Sequence, residues 1–188
     1  MSIAIVHSRA NVGIDAPLVA VETHLSNGLP SFTIVGLPET AVRESRERVR
    51  SAILNANFQF PARRITVNLA PADLPKSGGR FDLAIAISIL AASGQIPVAS
   101  LHHYEILGEL ALTGALRAVK GVLPAVLATR VSGRTLIIPE ANRAEASLAR
   151  RCLPAAGRIC SMCVAICRQA GACCRAASLS KVPSQRQQ

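Results

Sequence analysis

Apolar and polar positions alternate singly from Leu18 to Leu25. There Val19, Val21 and Thr23 interleave with Ala20, Glu22 and His24, the period-two pattern of a half-buried strand. Ile3 to His7, Ser31 to Val35, Ile65 to Leu69, Tyr104 to Leu112 and Arg134 to Ile138 are short, largely apolar runs rich in Ile, Val, Leu and Thr that read as further strands. Asn27-Gly28, Gly36-Leu37-Pro38 and Thr113-Gly114 supply turns. From Glu39 to Asn55 the spacing changes to three and four. Val42, Ser45, Val49, Ala52, Ile53 and Ala56 form one stripe, and Glu39, Arg43, Glu44, Arg46, Glu47, Arg48 and Arg50 lie opposite. This predicts an amphipathic helix with a solvated outer face. Glu39–Arg43 and Glu44–Arg48 are i,i+4 pairs worth about 0.2–0.5 kcal/mol each.

Leu83 to Ala92 is apolar at nearly every position, so periodicity is mute there. Its length, its alanines and Asp82 as an N-cap candidate favour a helix. A helix apolar all round must be buried on most of its circumference, which makes it the central core helix. Gly121 to Val131, with Pro124 tolerated in its first turn, and Ala141 to Ala149 complete the set. Hairpins mixed with crossovers predict an α+β sandwich of two layers, a mixed sheet on one side and helices on the other.

Charge changes this picture only at one end. The 188 residues carry a net +10, but residues 1–149 hold 14 Lys/Arg and all 11 Asp/Glu, whereas residues 150–188 hold 7 Lys/Arg and no acid. All six cysteines lie in the latter segment and all five Phe/Tyr in the former. The composition therefore predicts one domain over 1–149 and an unrelated Cys/Arg-rich tail over 150–188. With its apolar content mostly Ala and Cys, the tail buries little against an ordering cost of roughly 1–2 kcal/mol per residue, so it is expected to be disordered. Its composition resembles a GC-rich gene read out of frame. The N-terminus has no basic flank followed by a long apolar run, and the longest apolar run is far short of the roughly 20 residues needed to cross a bilayer. A cytoplasmic protein without membrane contact is expected.

Candidate chemistry is sparse. A P-loop requires G-x-x-x-x-G-K-[ST], and this sequence contains no Gly-Lys dipeptide, which excludes nucleotide hydrolysis by that route and implies no cofactor. The loop Lys76-Ser77-Gly78-Gly79-Arg80, with two glycines and two cations ahead of a helix, is the candidate anion-binding segment. His7, His24, His102 and His103 have no Cys/Asp/Glu neighbours at metal-ligand spacing. Cys160-x-x-Cys163 with Cys167 lacks a second such pair and any histidine, so no metal site is expected.

Four segments carry a family resemblance: IVHSRANVGIDAP, GLPSFTIVGLPETAVRESRERVRSAI, ITVNLAPADLPKSGGRFDLAIAISILAASGQI and GELALTGALRAVKGVLPA. Colinear over residues 1–149, they resemble the N-terminal domain of the ComM/YifB family, magnesium-chelatase-like AAA+ ATPases linked to natural transformation. The resemblance implies the fold of the Lon proteolytic domain, itself similar to a ribosomal-protein domain. It also implies a hexameric, ATP- and Mg-dependent helicase promoting DNA branch migration in full-length relatives, with self-association and DNA as the corresponding partners. Nothing from Arg150 onward resembles the family, so a chain truncated before the motor is expected. Lon-type peptidases pair a serine nucleophile with a neutral lysine. Laid on this sequence, the nucleophile's place falls on Arg80 and the lysine's on or next to Pro124, leaving Ser77 as the one nearby serine. A non-catalytic domain is therefore expected. The alternative is a stand-alone basic nucleic-acid-binding module built on Arg43, Arg46, Arg50, Arg80 and the tail.

Overall fold

The structure, a computed structural model, describes residues 2–36 and 40–151 and the short strand Cys174–Ala177. Strands β1 (Ser2–Arg9) and β2 (Leu18–Ser26) form an antiparallel hairpin with Val6 opposite Val21. β3 (Ser31–Val35) leads through helix α1 (Thr40–Arg43) and helix α2 (Ser45–Asn55) to β4 (Arg64–Ala70). β4 lies parallel to β3 and antiparallel to β2. The helix expected over Glu39 to Asn55 is thus two helices in its described part, interrupted at Glu44. Gly36 closes β3 at φ +100°, where a Cβ would come within 2.2 Å of the Leu69 carbonyl oxygen; only glycine lets the two strands approach there.

Helix α3 (Asp82–Ala92) is buried at every residue and packs across β1 and β2, as its nearly continuous apolar run requires. Its N-cap position is Phe81 rather than Asp82, which begins the helix itself. β5 (Tyr104–Ile106) joins β1 in parallel. The single strand expected over Tyr104 to Leu112 then breaks. Gly108 turns out of the sheet, accepting a hydrogen bond from Leu83 N–H and donating its own to the Arg80 carbonyl, each at 3.0 Å. The chain continues as a separate small hairpin, β6 (Glu109–Leu110) with β7 (Leu116–Arg117). Helix α4 (Val122–Ser132) then crosses to β8 (Thr135–Pro139), parallel to β5, and helix α5 (Arg143–Arg151) follows.

The main sheet is mixed, in the order β3-β4-β2-β1-β5-β8, with Cys174–Ala177 (β9) antiparallel on the outer edge of β8. The mixed α+β class stands. The layering departs from the two-layer expectation at the β5/β8 end, where helices cover both faces. Ile106 and Ile137 point into the core under α3, whereas Leu136 and Ile138 belong to a second core built with Val122, Ala125 and Val126 of α4 and Ala146 and Ala149 of α5. The apolar run of β8 is what permits this, since a strand covered on both faces cannot alternate. Over β2 and β4 the second face stays half-exposed and polar, with Glu22, His24, Thr66 and Asn68. The last helix runs two residues past the expected domain end at Ala149. The rest of the expected tail lies outside the described residues, apart from β9. No helix among the described residues is long and apolar enough to cross a membrane.

Candidate functional site

The turn ahead of α3 is fixed from two sides. Asp82 N–H donates to the Gly79 carbonyl at 3.0 Å, and the Gly108 backbone clamps Arg80 and Leu83. Gly78 sits at φ +71°, and a Cβ on Gly79 would fall 2.5 Å from Glu109 Cγ. Ser77, Gly78, Gly79 and Arg80 thereby line a cavity of about 320 Å³, completed by Asn11, Glu109, Ala118, Val119 and Lys120. The opposite wall is equally well held. Asn142 accepts from Val119 N–H at 2.9 Å and donates to its carbonyl at 2.7 Å. Glu145 Oε1 accepts from the N–H groups of Val122 and Leu123 at 2.8 and 3.1 Å, capping α4, whose own N-cap residue Gly121 has no side chain to do so.

Arg80 is only 5 % exposed. One guanidinium nitrogen, Nη1, donates to the Lys120 carbonyl at 3.3 Å, while Nε and Nη2 are buried without an acceptor. Burial pushes its pKa down to about 10, against the opposing pull of the Glu145 carboxylate, so the group remains cationic at neutral pH. Arg80 is thus a buried cation beside the cavity, with two donors that are closed off from solvent and unmet among the described residues.

Lys76, the first residue of the expected anion-binding segment, does not join the other four. It is fully buried, and its ammonium donates to the carbonyls of Pro71 and of Leu74, the latter at 2.9 Å. Burial lowers its pKa, partly opposed by Asp73. Its role is to staple the Pro71–Leu74 turn, because fixed backbone carbonyls reward an inward lysine where a solvated ligand would have to be captured. Asn11, Glu109 and Lys120 were not foreseen from the sequence, where no local signal ties them to the loop.

The arginines of the amphipathic helix separate likewise. Arg48, expected on the solvated face, sends Nε to Asp82 Oδ2 at 2.7 Å and Nη2 to Oδ1 at 3.2 Å. Burial raises the Asp82 carboxyl to about 6, although Arg48 and the Leu110 N–H, which donates to it at 3.2 Å, both pull downward. Arg46 donates to the Phe32 carbonyl at 3.3 Å, and Arg50 lies 5.3 Å above the Phe60 ring. Of the arginines expected to form a basic face, Arg46 and Arg50 are exposed on α2 and Arg80 lies in the interior, while the side chain of Arg43 lies outside the described residues. Arg80 and Pro124, the places expected for a peptidase pair, sit on a loop and in a helix: Arg80 Nη1 reaches the Lys120 carbonyl just ahead of α4, whose first turn holds Pro124. They carry a guanidinium and a proline ring, neither of which can attack a carbonyl or accept a proton there. Among the described residues, no group of three or more His, Cys, Asp or Glu side chains is placed to hold a metal ion.

A family model described as "Subunit ChlI of Mg-chelatase" matches residues 21–142. The chain is 64% identical to competence protein ComM of Haemophilus influenzae over 148 residues, covering 79% of this chain and 29% of that protein. It is 55% identical to YifB of Escherichia coli over the same length and with the same coverage. A Mycobacterium tuberculosis protein is 44% identical over 137 residues, 72% of this chain and 27% of its own. The chain thus spans under a third of the length of these relatives.

Proposed function

This chain belongs to the family of the Mg-chelatase subunit ChlI, with ComM- and YifB-like relatives, and we propose that it is the non-catalytic N-terminal domain of a ComM-like competence protein. The observation that carries this reading is the identity of 64% over 148 residues, 79% of the chain. In this reading the domain has a Lon-like fold that has lost the peptidase pair, and it serves assembly beside a AAA+ motor in branch migration of DNA. ATP and Mg belong to that motor. This sequence has no Walker-type lysine loop for them, so no step is assigned to a nucleotide here. The residues beyond the family likeness are read as an out-of-frame extension.

The test is a domain exchange. Residues 1–149 replace the matching segment of Haemophilus influenzae ComM, and transformation frequency is measured beside the expression level of the chimera. Near-native transformation is expected. A chimera that accumulates normally yet transforms like a deletion strain overturns the reading. Independently, the purified chain should neither cleave unfolded casein nor label with a serine-directed fluorophosphonate, and stoichiometric labelling of Ser77 would make the domain an enzyme.

A further inference from the structure

The two sides of the main sheet are finished differently. On β3, the strand at one edge, the Phe32 carbonyl accepts from Arg46 Nη1 of α2 at 3.3 Å, a charged side chain set against the strand. β8, the last strand before β9 on the other side, contains no Lys, Arg, Asp or Glu, and its Leu136, Ile137 and Ile138 are buried between the two cores. Its main chain alternates in direction. The Ile137 carbonyl accepts from Leu107 N–H at 2.9 Å, so Ile137 is turned to the β5 side, and the N–H and C=O groups of Leu136 and Ile138 are turned to the outer edge. Cys174–Ala177 meets them there, antiparallel, with Ala177 opposite Leu136 and Arg175 opposite Ile138. We propose that the outer edge of β8 is a strand-acceptor site for an extended peptide segment of a partner protein, and that Cys174–Ala177 occupies it in cis.

The acceptor and its occupant have different origins. β8 lies within residues 21–142, which match the family model, and Cys174–Ala177 lies outside them. A likeness that carries the acceptor without this occupant leaves the edge to be met by another strand. The occupant, Cys-Arg-Ala-Ala, also has none of the β-branched or aromatic residues that strands favour, so what the edge rewards is main chain. Pro139 has no N–H, but it is turned as Ile137 is, and the outward row loses no donor by it. With nothing on that edge, a row of unpaired N–H and C=O groups would border two apolar cores, the arrangement that recruits a strand from another chain. The ligand is therefore an extended segment that runs antiparallel to β8 and has no proline opposite Leu136 or Ile138. The site needs only the sheet and neither a motor nor a peptidase, so it stands or falls apart from the proposed function.

The test uses the full chain and a fluorescent peptide of residues 172–179 carrying Cys173→Ser and Cys174→Ser. Ala177→Pro in the protein removes the N–H that faces Leu136 and frees the edge. In that variant the Leu136 and Ile138 amides should exchange hydrogen at least about tenfold faster than in the parent, while Ile137, turned to β5, stays protected. That contrast separates an opened edge from an unfolded domain, and Arg175→Pro, which removes the N–H facing Ile138, repeats the test at the second pair. Saturating peptide should restore protection at Leu136 and Ile138, and its anisotropy should rise saturably with the variant. The parent should bind it at least roughly tenfold more weakly, because its own tethered strand competes at an effective concentration of about millimolar. Leu136 and Ile138 amides unchanged in both variants would show that Cys174–Ala177 does not hold the edge, and would overturn the proposal. Opened amides with no peptide binding, or equal binding by parent and variant, would overturn it too. Self-association of the variant that protects these amides without peptide would give the edge to a second copy, and would equally overturn it.

Discussion

Arg9 and Glu105 are 96 residues apart in the chain, and their side chains meet in the interior with Arg9 Nη2 donating to Glu105 Oε1 at 2.8 Å. The pair lies between the sheet and α4. The Thr129 hydroxyl also donates to the carboxylate, Ser132 Oγ does so at 2.9 Å, and Arg9 Nη1 reaches the Ala16 carbonyl at 2.7 Å. Both oxygens of Glu105 are used, which is the condition under which a buried ion pair is tolerated.

Breaking that pair from one side should therefore be severe. Arg9→Met or Glu105→Gln is expected to cost about 3–5 kcal/mol in urea unfolding, because each leaves a buried group uncompensated. The double variant should cost less than the two single changes together. Equal, additive losses would show that the two side chains do not act as a pair. Burial alone would raise the Glu105 carboxyl, but the hydrogen bonds from Arg9 and Thr129 and the charge of Arg9 outweigh it and hold the group below its ordinary value of 4.5. A depressed folded-state pKa gives stability that is present above 4.5 and lost as pH falls through the folded value. Glu105→Gln should flatten the acid limb of the stability profile.

Asp82 predicts the opposite slope. Its folded-state carboxyl titrates near 6 against 3.8 in the unfolded chain, so the folded protein binds the extra proton between those values. Its contribution is fully present below pH 3.8 and is lost as pH rises through about 6. Between pH 4.5 and 7.5 the stability of the parent relative to Asp82→Asn should fall by roughly 2 kcal/mol. A constant difference across that range would mean that the carboxyl stays ionised beside Arg48.

The core helix gives a third expectation. Ile85 is fully buried in α3, so Ile85→Ala should cost about 2–5 kcal/mol through lost transfer energy and an unfilled cavity. Val131→Ala, at a position 91% exposed on α4, should stay within about 0.5 kcal/mol of the parent. Comparable losses at both sites would contradict this burial pattern.

Lys76 separates the staple from the cavity. Lys76→Met removes the donor to the Pro71 and Leu74 carbonyls and should destabilise by about 1–3 kcal/mol. Unchanged stability would show that the ammonium does not hold the turn.

What the sequence determined by itself is what neighbours along the chain encode. The single alternation of Val19, Val21 and Thr23 is the buried face of β2, and the nearly all-apolar run from Leu83 to Ala92 is a helix with no exposed side. Periodicity carries such facts because each residue's burial is set relative to residues two, three or four positions away. Tertiary structure alone decided where the charged groups went. Lys76 turned inward to carbonyls, Arg48 crossed 34 residues to Asp82, and Arg80 came against a loop 40 residues on. The break after Ile106 belongs there too, for Gly108 leaves the sheet to bond with Arg80 and Leu83. A long cationic side chain reads the same in sequence whether it ends in water, on a carbonyl or in a cavity. Only the partner that packing brings within hydrogen-bonding reach decides which.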